Sequence, residues 1–136
     1  MTKRALMMDT NAISRLMLGD ETVLRIVNEA RRILVCSVAL GELESGFRGG
    51  TRYERNRSDL AEFCADDKVE KVFSTEDTVR KYGELMSALR QAGTKIPTND
   101  VWIGAFAREH DAVVLSFDHH MQYMTPLGIE LVKTAE

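Results

Sequence analysis

Cysteine is scarce in this chain of 136 residues, and the two thiols, Cys36 and Cys64, stand far apart. That excludes a disulfide framework, and with no histidine pair at ligand spacing it excludes a zinc site as well. A reducing cytoplasm suits such thiols. Long hydrophobic runs are missing too: no window approaches the roughly 18 apolar residues of a membrane span. The N-terminus lacks an apolar stretch of signal-peptide length. A cytoplasmic protein with no membrane part is therefore expected. Nor is positive charge in excess. The formal net charge is −3 and the pI about 5.7, which argues against holding nucleic acid by bulk charge, so any such contact must be local. Internal repeats and low-complexity linkers are absent. One domain over residues 1–136 is expected, with a core that buries about two thirds of the unfolded surface.

What is present is organised around Leu6-Met7-Met8-Asp9-Thr10-Asn11. Three apolar residues run straight into an acid, a hydroxyl and an amide, after which Ile13, Leu16 and Met17 resume at helical spacing. An acid thus sits where a strand ends and a helix begins. The carboxyl ends of strands in an open α/β sheet form the ligand crevice; Asp is equally a favoured helix N-cap. Taken alone, the stretch reads as either.

The pattern recurs. Strands are expected at residues 5–8, 33–36, 69–73, 113–116 and 129–132, with helices between them at 13–18, 20–30, 38–47, behind residue 57, 79–92 and 99–110. Ser37, Ser74 and Thr98 read as N-caps, the second within a capping box with Asp77. Val79, Tyr82, Met86 and Leu89 form a stripe facing the core. The helix after Thr98 is apolar almost all round and so largely buried, with Asn99 and Asp100 in its first turn. The fourth apolar run, like the first, leads into an acid, Asp118. Alternating strands and helices mean a mainly parallel sheet of four to five strands.

If the first and fourth strands are neighbours, Asp9 and Asp118 meet across the crevice and Asp100 can join them. Two unit charges about 5 Å apart repel by about 3 kcal/mol at an effective dielectric near 20, against a whole-domain stability of about 5 to 15 kcal/mol. Such a cluster needs protonation or a cation, and an all-oxygen donor set suits Mg2+ or Mn2+. His119 and His120, beside Asp118 in a short helix, read as surface imidazoles rather than as an acid and base. The segment from Arg48 to Arg57 holds Arg48, Arg52, Arg55 and Arg57 against one glutamate. It reads either as a solvated face or as a contact for phosphate or an acidic partner.

With these residues in view, the chain resembles PIN domains, and most of all the VapC-type toxins of toxin–antitoxin pairs. The resemblance is carried in order by Met8-Asp9-Thr10-Asn11, Glu42-Leu43-Glu44-Ser45-Gly46, Pro97-Thr98-Asn99-Asp100-Val101-Trp102 and Leu115-Ser116-Phe117-Asp118. It implies a three-layer α/β/α fold and an endoribonuclease dependent on Mg2+ or Mn2+, held in check by an antitoxin and working as a homodimer. Asp9, Glu42, Asp100 and Asp118 would hold the metal, with Asn11 and Ser116 supporting them. Ser116 replaces the usual Thr, and Met121 the usual aromatic. The helical wheel pulls the other way at Glu42: an apolar face centred on Leu40, Leu43 and Phe47 lies nearer Glu44. A small-residue edge of Ala39, Glu42 and Gly46 at the crevice would reconcile the two, with Glu44 pairing with an arginine.

Three alternatives remain: a PIN nuclease outside any toxin–antitoxin pair, a non-catalytic module that binds RNA or protein, and a phosphotransferase with Asp9 as nucleophile. The last wants a second Asp at position 11, where this chain has Asn.

Overall fold

The computed structural model describes residues 4–134. The elements, in chain order, are β1 (Leu6–Met8), α1 (Thr10–Met17), α2 (Glu21–Glu29), β2 (Ile33–Cys36), α3 (Ser37–Arg48), α4 (Tyr53–Cys64), β3 (Val69–Val72), α5 (Glu76–Gln91), α6 (Thr98–Glu109) and β4 (Val113–Leu115). A run of 3-10 turns follows over His119–Leu127. The four strands pair in parallel in the order β3-β2-β1-β4, with Met7 beside Leu34 on one side and Val114 on the other. Every residue of β1 and β2 is buried. That is how short, continuously apolar strands behave when helices cover both faces of a parallel sheet. None of the described helices is long and apolar enough to cross a membrane.

The chain leaves β1 towards β2 and β3, then returns to place β4 on the other side of β1. The sheet therefore reverses between β1 and β4, where ligand crevices form in such folds. Asp9 is tied to this junction by its own N–H, which donates to Leu115 O at 3.0 Å.

Helix α6 is the most deeply seated of the described helices. Val101, Ile103 and Phe106 are fully buried, each worth about 1.5 to 3 kcal/mol of transfer energy. Gly104 lets the 3-10 segment approach, since a Cβ there would stand 2.8 Å from Met124 Sδ. Outside it, Trp102 stacks on Tyr82 of α5 with ring centroids 3.9 Å apart.

Several expectations shift. Residues 129–132 form no strand: one parallel bridge, Val114 to Leu131, is all that joins them to the sheet. The approach bends at Gly128, whose φ of +93° ends the 3-10 turns in the left-handed region. Helix α5 is capped by Thr75, not Ser74. Thr75 and Thr78 exchange side-chain to backbone hydrogen bonds, and both hydroxyls donate to Glu109 of α6. The cap moves by one residue because Thr78 is drawn inward by Glu109. Accordingly Thr78, Leu85 and Leu89 are buried, while Val79 is exposed. Neither Ser37 nor Thr98 caps with its side chain; each is the first residue of its helix, after Cys36 and Pro97.

Candidate metal centre

Four elements deliver the four expected acids. Asp9 follows β1 and caps α1, its Oδ1 accepting from Thr10 N at 2.7 Å. Cap and crevice position thus fall on one residue. Asp118 follows β4 and caps the 3-10 segment by accepting from His120 N at 2.9 Å. Asp100 enters from the first turn of α6, and Glu42 from the middle of α3.

The supporting residues link these ends. Ser116 Oγ donates to Asp9 Oδ2 at 2.5 Å and accepts from Asp118 N at 3.0 Å, so one hydroxyl spans both strand-end acids. Asn11 Oδ1 accepts from Phe117 N at 3.1 Å, which fixes the loop that carries Asp118. Position 11 is therefore a strut between the first turn of α1 and the loop after β4. Glu42 Oε1 accepts from Thr10 Oγ1 at 2.6 Å and its Oε2 from Asn99 Nδ2 at 3.2 Å. These bonds turn Glu42 towards the N-termini of α1 and α6, where partial positive charge favours a carboxylate.

Glu44 leaves α3 on the other side. It accepts from Arg48 Nε at 2.7 Å and Tyr53 Oη at 2.6 Å, and these donors hold its carboxyl below the usual range. The wheel is corrected accordingly: Ala39, Leu43 and Phe47 are the buried residues of α3, and Leu40 is only half-buried. Ala39 lies in the core, so the small residues at the Glu42 edge are Gly41, Ser45 and Gly46.

The electrostatics follow from this crowding. Burial raises the Asp9 carboxyl above its usual range, against the opposing bonds from Ser116 and Thr10, and Asp118 and Glu42 push it the same way. Asp100 is pushed up to about 7 by burial, then by the charges of Asp118 and Asp9. Its carboxyl is nine-tenths covered, and its Oδ2 accepts no hydrogen bond. A buried carboxylate oxygen without a donor is costly unless a proton or cation meets it. The donors are carboxylate oxygens, so the residues fit a hard divalent cation.

Two contacts escaped the sequence reading. Thr10 and Asn99 orient Glu42, and both lay inside the recognised motifs without an assigned role. His119 is exposed, as expected, but His120 is half-buried, with Nδ1 2.9 Å from Asp118 Oδ1. Of the arginines, Arg48 is engaged by Glu44 and Tyr53, while Arg52, Arg55 and Arg57 are exposed on the loop and first turns of α4. Among the described residues, none of these four arginines is paired with an acid of the crevice.

A family profile described as PIN domain matches residues 6–125, from β1 into the 3-10 segment, and includes every acid above. The chain belongs to the PIN domain family. Its fold is similar to that of VapBC from Salmonella typhimurium in a DNA-bound crystal structure, at 23% identity and a TM-score of 0.83 over 95% of this chain and 97% of that one. VapBC-1 from nontypeable Haemophilus influenzae is similar at 20% identity and a TM-score of 0.80 over 95% and 97%. VapC20 from Mycobacterium tuberculosis, a sarcin–ricin loop cleaving toxin, is similar at 19% identity and a TM-score of 0.70 over 95% and 99%. Among curated proteins no sequence matches this PIN domain.

Proposed function

We propose that this PIN domain is an endoribonuclease that hydrolyses RNA phosphodiesters with Mg2+ or Mn2+, and that it is the toxin of a toxin–antitoxin pair acting in the cytoplasm. One observation carries the reading. At the β1/β4 junction burial, and after it the neighbouring charges of Asp118 and Asp9, push Asp100 up to about 7, and a buried Asp100 oxygen has no donor.

Asp9, Asp100, Asp118 and Glu42 are the residues that would hold the cation. Bound there, a divalent cation supplies Lewis acidity towards a phosphodiester oxygen and towards water. Ser116 holds the Asp9 and Asp118 ends in one register, and Thr10 and Asn99 fix both oxygens of Glu42. Prepositioned acids need little reorganisation when charge develops on the phosphate. The reading also agrees with the sarcin–ricin loop cleavage named for VapC20.

For the partner, support comes from a groove of about 470 Å³ along α1, α2 and α4, floored by Leu16, Met17, Leu24 and Phe63 and edged by Asp59 and Glu62. An antitoxin segment with apolar and basic side chains would complement it.

The test is RNA cleavage by the purified protein in Mn2+, in Mg2+ and in chelator. Cleavage is expected with either cation, none in chelator, and none from Asp9→Asn or Asp118→Asn, both of which still fold. Cation-dependent cleavage retained by both variants would overturn the assignment.

A further inference from the structure

His120 and Asp118 are too close to ignore each other, yet they are not hydrogen-bonded. His120 Nδ1 lies 2.9 Å from Asp118 Oδ1 and 3.7 Å from Asp100 Oδ2. Nδ1 is buried and has no hydrogen-bond partner, and the same is true of Asp100 Oδ2. At 2.9 Å the separation suits a hydrogen bond and the direction does not. A nitrogen and an oxygen this close, without a hydrogen bond between them, are separated as two ligands of one ion would be. Ligands about 2.1 Å from one ion and at right angles to each other stand about 3 Å apart.

The backbone holds the arrangement in place. The backbone N–H of His120 donates to the same Asp118 oxygen, which holds that carboxylate beside the residue that carries the imidazole. The His119 ring packs on the His120 ring with centroids 4.1 Å apart, and His119 itself stays at the exposed rim.

Resting on the cation reading above, we infer that His120 Nδ1 is a nitrogen ligand of the same cation, beside Asp118 and Asp100, and that the site therefore takes Mn2+ or a similar transition ion in preference to Mg2+. Carboxylates alone suit Mg2+ and Mn2+ alike, whereas an imidazole nitrogen adds affinity for the transition ion and little for Mg2+. His120 thus serves as a ligand, outside any proton transfer.

Electron spin-echo spectroscopy of the full chain loaded with Mn2+ reads the ligand directly. A 14N coupling from bound imidazole is expected in the wild type and in His119→Ala, and none in His120→Ala. Competition titration of Mg2+ against Mn2+ provides the second measurement, with the preference for Mn2+ falling about tenfold in His120→Ala and unchanged in His119→Ala. Mn2+ binding without nitrogen coupling in the wild type would overturn the role of His120 and leave the cation reading standing. Coupling that survives His120→Ala, or an unchanged preference in that variant, would do the same. No Mn2+ binding by the wild type would overturn both. Should His120→Ala not fold, the spectrum of His119→Ala decides, and loss of the coupling there would overturn the role of His120.

Discussion

Glu42 and Glu44, two residues apart on α3, leave the helix on opposite flanks of its buried stripe. Glu42 is held by Thr10 and Asn99 at the crevice, and Glu44 by Arg48 and Tyr53 over the start of α4. Chemistry should follow the environment, not the residue type. Glu42→Gln is expected to lower RNA cleavage in Mn2+ by about a hundredfold or more, and Glu44→Gln to leave it within a few-fold. Measured side by side on one RNA, the reverse ranking would place the site acid at Glu44.

Ser116 offers a finer test, because its hydroxyl bonds at once to the Asp9 carboxylate and to the backbone N–H of Asp118. Ser116→Ala removes one of the two donors that oppose the rise of the Asp9 carboxyl, and about a tenfold loss of Mn2+ affinity is expected. Ser116→Thr keeps the hydroxyl and should bind Mn2+ as the wild type does. Equal affinities in all three proteins, read by calorimetry, would mean that the bridge does not shape the site.

Asp100 makes cation-free stability depend on pH in a direction opposite to that of an ordinary salt-bridged acid. Its proton leaves near 3.8 in the unfolded chain and at about 7 in the folded one. Between those values the folded state holds a proton that the unfolded state has released. Without cation, this residue's contribution therefore improves as pH falls from about 7 towards 3.8, and is least favourable above 7. Asp100→Asn should melt higher than the wild type above pH 7 in chelator, with the gap shrinking as pH falls below about 7 and closing only towards 3.8. A gap that does not change with pH would contradict this.

The arginine loop should contribute affinity and not chemistry. Arg52, Arg55 and Arg57 are exposed, whereas Arg48 already pairs with Glu44. Replacing the first three with Gln should weaken RNA binding and flatten its dependence on salt, since each phosphate contact releases counterions. Unchanged binding to both RNA and antitoxin would reduce the loop to a solvated face.

Much was legible in the sequence. Four runs of strand length, three of them continuously apolar and the third broken by Glu70 and Lys71, alternate with helical periods and dictate a parallel sheet, and the acids after the first and fourth runs mark its crevice. Both signals are local, written in the period and in the residue that ends it. The expected fifth strand was lost because pattern cannot tell a paired run from one that touches the sheet through a single bridge at Leu131.

The choice between Glu42 and Glu44 lay beyond the pattern. About the buried stripe of Ala39, Leu43 and Phe47, a helix of 100° per residue sets the two glutamates at equal angles, about 100° to either side. No property of α3 separates them. The tertiary structure does, by bringing Thr10 from α1 and Asn99 from α6 to one flank and Tyr53 from α4 to the other. The same holds for His120, which its neighbours in sequence mark as an exposed imidazole. It becomes part of the acid cluster because α6 is packed deeply enough to carry Asp100 to within 3.7 Å of its ring nitrogen. Sequence determined which residues could serve. Which of them meet was decided by long-range packing, because the distances that matter join elements far apart in the chain.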